Sequence, residues 1–172
     1  YIKNTDQIFQ NGNLISLYPI INIYHAYLIG VYIGDGCFGS SKKNPYTILI
    51  SCNSNGKNIE KIKKYCEYLN YGCVIDKRKE TKCTTLQIKS LELYLILHKL
   101  GFNRNIRADK KFIPSVFITA SDDIKMNLLK GMYSADGSFN EFKNSQKLVY
   151  TTVSEKLKND LFLILNNFNV NT

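Results

Sequence analysis

The sequence has no Cys-x-x-Cys pair and only 2 histidines, His25 and His98. That excludes the common zinc-finger spacings, which need paired thiols or imidazoles a few residues apart. Its 5 cysteines, Cys37, Cys52, Cys66, Cys73 and Cys83, are odd in number. They read as reduced thiols of an intracellular protein rather than a disulfide framework. No apolar run approaches the ~20 residues that a membrane span requires, so no membrane partner is expected. Nothing is low-complexity, which leaves a folded domain as the working class. The chain begins at Tyr1 rather than Met. That reads as a cut end, and no signal peptide is evident there. Tryptophan is absent, while tyrosine is abundant at 12.

Acidic residues are also scarce. Against 23 Lys and Arg stand 14 Asp and Glu, a net charge of +9 with a pI near 9.2. That balance fits a polyanionic partner, although a Lys-rich composition alone gives the same number. An apolar fraction of 44% over 172 residues is ample for one domain or two small halves sharing a core.

The informative feature is a repeat. Leu28 to Gly36 reads Leu-Ile-Gly-Val-Tyr-Ile-Gly-Asp-Gly, and Leu129 to Gly137 reads Leu-Lys-Gly-Met-Tyr-Ser-Ala-Asp-Gly. Gly30 matches Gly131, Tyr32 matches Tyr133, and Asp35-Gly36 matches Asp136-Gly137. Two copies point to two related halves rather than a solenoid. Gly30 and Gly34, like Gly131 and Ala135, lie one helical turn apart. On helices they would leave a flat strip on which two backbones approach closely. Glycine within a helix costs roughly 1 kcal/mol relative to alanine, so close packing offsets a real penalty. The two helices are therefore expected to pack on each other through Gly30, Gly34, Gly131 and Ala135.

Each helix should stop at its Asp-Gly, with Gly36 and Gly137 as C-caps. Asp35 and Asp136 then sit at helix C-termini, where the macrodipole disfavours negative charge by roughly 0.3–1 kcal/mol. Pairing the helices adds mutual repulsion. Divalent cations relieve both costs, and hard oxygen ligands suit Mg²⁺, which keeps several waters and needs few protein ligands. A lone Asp-Gly would be only a turn signal; two in the same helical frame are more than that.

These residues resemble the LAGLIDADG homing endonucleases in their single-chain, two-motif form. The family template runs through Leu28–Gly36 and Leu129–Gly137, departing at the sixth position, where the eponymous acid is Ile33 in one copy and Ser134 in the other. The acid before the glycine is kept twice. The resemblance implies metal-dependent double-strand cleavage of DNA. It also implies an α+β fold of two pseudo-symmetric αββαββα halves packed through the motif helices, their antiparallel sheets forming a DNA-binding saddle.

Taken in order, residues 1–22 read as a lead-in arm. The first half spans residues 23–101. A helix is expected from Ile23 to Asp35, a hairpin with strands at 37–40 and 46–52, and a helix over 57–69 with Ile59, Ile62, Cys66 and Leu69 on one face. A second hairpin follows at 73–77 and 83–89, then a helix capped by Ser90 and ending at Gly101. Residues 102–121 read as a basic linker. Its Lys111-Phe112-Ile113-Pro114 resembles the intein-associated branch of the family. The second half, residues 122–172, supplies a motif helix capped by Ser121, strands at 138–142 and 147–152, and a helix over 154–168. By repeat logic another hairpin and helix, roughly 35 residues, should complete it, so the second half is expected to be truncated or completed from elsewhere.

Sheet alternation gives one face able to touch phosphates and base edges in a major groove. Candidate DNA contacts are Lys42, Lys43, Tyr46, Lys77, Arg78, Lys79, Lys82, Thr84 and Gln87. For metal-assisted phosphodiester hydrolysis the candidate catalytic residues are Asp35, Asp136 and, by the family resemblance, Lys89. Asp35, Asp136 and the carbonyls of Gly34 and Ala135 are the candidate ligands of Mg²⁺ or another divalent cation. Ser51 and Asn53 are candidates for ordering water. The expected partner is double-stranded DNA, bound by a pseudo-dimeric monomer or with a second chain or segment completing the second half. Two other readings stay open. One is a nucleic-acid-binding module, maturase- or regulator-like, that has lost cleavage. The other is the nuclease segment of an intein; Tyr1 and Thr172 supply neither a splicing nucleophile nor a terminal Asn.

Overall fold

A computed structural model describes residues 7–10, 13–16, 21–40, 44–53, 58–77, 83–142 and 145–170. Two short strands, β1 (Gln7–Gln10) and β2 (Asn13–Ser16), pair antiparallel. The arm therefore carries a hairpin that the reading of residues 1–22 as a lead-in missed. Its signal was in the sequence: Asn11-Gly12 between Ile8-Phe9 and Leu14-Ile15 is a strong short-range hairpin pattern.

Helix α1 (Ile23–Asp35) opens at Asn22, whose side chain accepts from the backbone of Tyr24 and His25, while the His25 ring accepts from Asn22 N. That reciprocal capping box satisfies donors the first turn leaves open. Nearly all of α1 is buried, which accounts for its lack of a polar face. It runs straight into β3 (Gly36–Phe38), followed by β4 (Thr47–Asn53), α2 (Asn58–Tyr68), β5 (Gly72–Lys77), β6 (Cys83–Lys89) and α3 (Leu91–Lys99). Ser90 caps α3 by accepting from Leu93 N at 3.1 Å.

The strands form one antiparallel sheet in the order β3-β4-β6-β5. Its inner face carries Phe38, Ile48, Ile50, Leu86 and Ile88, all in the core, and α2 adds Ile59, Ile62 and Cys66. That is the αββαββα half the sequence implied.

The second half starts with α4 (Asp122–Asp136) and continues through β7 (Gly137–Phe142), β8 (Ser145–Tyr150) and α5 (Glu155–Asn166). Ser121 is the N-cap of α4, but its side chain makes no capping bond. Ser154 caps α5 properly, accepting from Leu157 N. β7 and β8 form a two-stranded sheet. Among the described residues there is no counterpart of β5, β6 and α3, and a groove of about 720 Å³ opens between α4, β8 and α5. The register shows what is exposed. Gly36 pairs with Ile50 and Phe38 with Ile48; Gly137 pairs with Tyr150 and Phe139 with Leu148. Ile48 is 1% exposed and Phe38 8%, whereas their counterparts Leu148 and Phe139 are 57% and 55% exposed.

α1 and α4 are the spine. Gly30 and Gly131 face each other: a Cβ on Gly30 would run into Leu128 O and lie 2.9 Å from Met132 N, and one on Gly131 would run into Tyr27 O and lie 2.9 Å from Val31 N. Each glycine thus meets the other helix's backbone, where no side chain can give way. A Cβ on Gly34 would collide with the Ala135 methyl. Gly36 and Gly137 do cap their helices, but with extended backbone (φ −94° and −82°) rather than a left-handed turn. The chain passes directly from helix to strand, and glycine is needed because a Cβ would strike Tyr32 or Tyr133.

Residues 102–121 are less a linker than a strap. Phe102, Ile113 and Phe117 are all about 1% exposed, and Phe102 stacks on Phe112 with ring centroids 4.7 Å apart. Ile113 N donates to the buried carboxylate of Asp160 at 3.0 Å, which ties the strap to α5.

Candidate active site and sheet surface

The pairing of α1 and α4 brings their C-terminal ends together. Asp35 is half-buried at the end of α1 and Asp136 exposed at the end of α4. A Cβ on Gly34 would lie 3.4 Å from Asp136 Oδ2, so the second acid rests against the last turn of the first helix. The Asp35 carboxyl is held above the ordinary carboxylate range, first by burial and then by the negative charge of Asp136, with Lys111 opposing. The two acids therefore feel each other, as the helix geometry requires.

Lys111 is the cation at this pair. Its Nζ donates to Gly34 O and, at 3.3 Å, to Tyr32 O, capping the carbonyl end of α1 where positive charge is favoured. Burial lowers its pKa while Asp136 and Asp35 raise it. The corresponding carbonyl end of α4 is met by a different group: Asn58 Nδ2 donates to Ser134 O. Tyr150 OH reaches Asp136 Oδ2 at 3.5 Å, and burial and the two acids push that phenol up. A small cavity of about 150 Å³ lies against the first acid, lined by Asp35, Ser51, Cys52, Asn58, Ser134 and Ala135 among others. Ser51 thus lines the centre, while the Asn53 side chain lies outside the described residues.

Lys89 does not reach this centre. It ends β6 opposite Thr47 and Gly72, two strands across and three residues along from Gly36. Strand spacings of ~4.8 Å and a rise of ~3.3 Å per residue put it roughly 14 Å from the start of β3, too far for a lysine side chain. Lys89 stays at the strand-to-helix junction of β6 and α3, and the cation that the fold sets beside the two acids is Lys111. The signal was present, since Lys111 precedes an Ile-Pro step that anchors in the core.

The departures from the motif at its sixth position also have a physical cause. Ile33 is fully buried. Ser134 Oγ donates to Gly131 O at 2.8 Å and lies 3.0 Å from Tyr27 OH. A carboxylate at Ile33 would be desolvated in the core.

The outer face of the first sheet presents Ser51, Thr85, Gln87 and Lys89 together with the more apolar Leu49 and Val74. Gln87 faces outward and donates to Asp76 Oδ2 at 3.4 Å. Tyr46 is exposed and packs edge-on against Tyr94. Thr84 is a correction: it is 3% exposed, because it shares the inward side of β6 with Leu86 and Ile88. Counting from Gln87 by twos leads to Thr85, not Thr84. Lys77 pairs with Thr84 in the ladder, but its side chain lies outside the described residues, as do Lys42, Lys43, Arg78, Lys79 and Lys82.

The donor set fits a hard divalent cation. Two carboxylates and the helix-end carbonyls of Gly34 and Ala135 are all oxygen ligands, and Lys111 already sets a cation against Gly34 O. Among the described residues no group of three or more His, Cys, Asp or Glu is placed to hold a metal by itself. Cys37, Cys52, Cys66 and Cys73 are free thiols, and no described helix is long and apolar enough to cross a membrane.

Fold and site define a class: an α+β scaffold of two related halves that presents one acid from each at the meeting point of paired helices. Residues 123–172 match a family profile described as a LAGLIDADG-like domain. The chain superposes on a mesophilic variant from the homing endonuclease I-DmoI with a TM-score of 0.55 at 20% identity, covering 86% of this chain and 78% of that one. The superposition on I-DmoI in complex with DNA and Mn gives 0.52 at 20% identity, covering 87% and 80%. The chain has the fold of the LAGLIDADG homing endonucleases and carries a LAGLIDADG-like domain. In sequence it is 25% identical over 143 residues to a tRNA-splicing ligase RtcB of Pyrococcus abyssi, aligning 76% of this chain. It is 29% identical over 134 residues to a DNA polymerase of Acanthamoeba polyphaga mimivirus, aligning 75% of this chain. It spans only 15% and 8% of those two proteins.

Proposed function

We propose that this chain is a DNA endonuclease that hydrolyses phosphodiester bonds with the help of a divalent cation, making double-strand breaks at the meeting point of α1 and α4. The observation that carries the reading is the pair Asp35 and Asp136, delivered by two copies of one motif to one place, with Lys111 beside them.

Asp35 and Asp136, with the carbonyls of Gly34 and Ala135, are the residues that would hold Mg²⁺ or a similar ion. Such an ion supplies Lewis-acid stabilisation of the phosphate and a hydroxide near neutral pH. The chain's own groups do the rest. Lys111 places positive charge where a phosphate oxygen becomes more negative as water attacks phosphorus and the 3′-oxygen leaves. Ser51 and Asn58 line the cavity beside Asp35 and offer a hydroxyl and an amide to orient water. The outer face of the sheet, with Tyr46 at its margin, offers hydrogen-bonding side chains and the apolar Val74 to base edges in a major groove.

The test is cleavage of a plasmid library with Mg²⁺, and binding with Ca²⁺, by the chain and by its Asp35→Asn, Asp136→Asn, Lys111→Met and Lys89→Met variants. The expected outcome is loss of double-strand breaks in both Asp variants. Lys111→Met should lose on the order of 10²–10³-fold in rate, with DNA binding retained, and Lys89→Met should cut within a few-fold of the parent. Double-strand cutting by either Asp variant at the parent's rate, or no DNA binding by the parent, would sink the reading.

A second reading concerns the setting of such a chain. Its sequence aligns with short stretches of two enzymes of unrelated activity, an RNA ligase and a DNA polymerase. A nuclease nested inside host proteins has that distribution, which favours an intein-borne endonuclease. Splicing sequence blocks on both sides of this stretch in the gene would establish that setting, and their absence would remove it.

A further inference from the structure

The strap between the halves carries charge that the acid pair does not use. From Asn103 to Lys111 it holds Arg104, Arg107, Lys110 and Lys111 against the single acid Asp109. Arg104, Arg107 and Lys110 are all exposed, and Lys111 alone turns inward to the acids. Among the described residues, the side chains of Arg107 and Lys110 make no hydrogen bond or ion pair.

The course of this segment is set at both ends. Arg104 Nη2 donates to Gly39 O at 2.8 Å, just past the end of β3, and Lys111 Nζ donates to Gly34 O, just before its start. The two ends of the strap are therefore tied to the two ends of β3, the edge strand of the sheet. Two helical steps of ~1.5 Å and three extended steps of ~3.3 Å make this path roughly 13 Å long. It is also stiff. Phe102 packs edge-on against Tyr32 and stacks on Phe112. Ile106 N donates to Asn103 O, and Lys110 N to Arg107 O. The Asn103 side chain accepts from Asn105 N at 2.8 Å. Ile106 packs on the core beneath. Charged side chains on a backbone held this way lose less freedom on binding than those on a mobile hairpin tip.

We propose that residues 103–110 form a phosphate rail: Arg104, Arg107 and Lys110 engage successive phosphodiesters of one DNA strand and lead it along the edge of β3 onto Asp35 and Asp136. The inference rests on the nuclease reading above and adds to it a surface outside the sheet. A path of that length follows several phosphates, since a strand advances about 3.4 Å per phosphate along the duplex axis. Arginine spares donors while held: its fork has five N–H groups, and Gly39 O takes one. The strap joins the halves once, so the rail lies on one side of the centre, and the strand passing beside the first half is held more firmly.

The test uses the salt dependence of binding to a short fluorescein-labelled DNA duplex of mixed sequence. Each phosphate contact contributes about 0.9 to the slope of log affinity against log salt. The double variant R107Q/K110Q should reduce that slope by about 2 relative to the parent. The charge-matched double variant K64Q/K130Q, on exposed faces of α2 and α4, should leave it nearly unchanged. Arg104 is left intact because it also positions the strap. An unchanged slope in R107Q/K110Q overturns the rail, and so does an equal fall in both double variants, which would reflect net charge alone. A parent that binds no DNA overturns the nuclease reading itself, and the rail with it. A parent that binds but does not cut overturns cleavage alone and leaves the rail to be decided by the two double variants.

Discussion

His25 shows how much one side chain settles. It is buried near the start of α1, where its Nδ1 accepts from Asn22 N and its Nε2 lies 2.8 Å from Tyr71 OH. An accepting Nδ1 requires the neutral ring with its proton on Nε2. Burial holds its pKa below the ordinary 6.5, with Glu92 pulling the other way. An unfolded chain therefore binds this proton more readily than the folded one, so folding stability falls as pH drops below about 6.5 and on through the lowered folded value. Urea midpoints at pH 7.5 and 5.5 should show that decline, and His25→Gln should flatten it in that window. A midpoint independent of pH in the parent would contradict the buried neutral ring. At the same scale, Lys111 and Lys89 mark the limit of reading a site from a motif. Both are basic residues near an element boundary, and only strand register separates the one beside Asp35 from the one roughly 14 Å away.

The elements themselves were largely legible. α1 was expected over Ile23–Asp35 and is found there; β6 was expected over residues 83–89 and is found there. Local periodicity, a cap at Ser90 and an Asp-Gly stop are short-range signals that tertiary packing did not override. What was not legible depended on long-range contact. Residues 102–121 look like a basic linker because Arg104, Arg107, Lys110 and Lys111 cluster in their first half, yet Phe102, Ile113 and Phe117 reach the core. Thr84 looks like a surface residue until the parity of β6 is fixed by its partners. The helix pair gives the sharpest prediction here. Gly30→Ala gains up to about 1 kcal/mol of helix propensity, but its methyl meets the Leu128 carbonyl. Overpacking against backbone costs about 1–3 kcal/mol or more, and a net loss is expected in the urea midpoint, with Gly131→Ala behaving alike. A higher midpoint in either variant would mean that the helices are not in contact at these residues.

At the scale of the whole molecule the two halves are unequal. The first closes its core with β6 and α3; the second leaves Leu148 and Phe139 open beside the groove. Ile48→Ala should therefore cost about 2–5 kcal/mol, as burial in a filled core implies, while Leu148→Ala should cost under about 1 kcal/mol. Urea denaturation of the two variants checks this directly, and equal losses would show that Leu148 is covered in solution. The repeat made both halves legible in outline, because the motif fixes helix, stop and strand together. It could not point to the proposed rail, which belongs to a segment that has no copy.

The opposed glycines carry a consequence for descent. Gly30 and Gly131 came from one ancestral position if the halves arose by duplication, and each now abuts the backbone of the other's helix. A larger residue at one site has no room that a smaller residue at the other could return, since glycine is already the smallest. The two codons are therefore coupled with no compensating partner, and neither half can drift at this place while the other stays as it was.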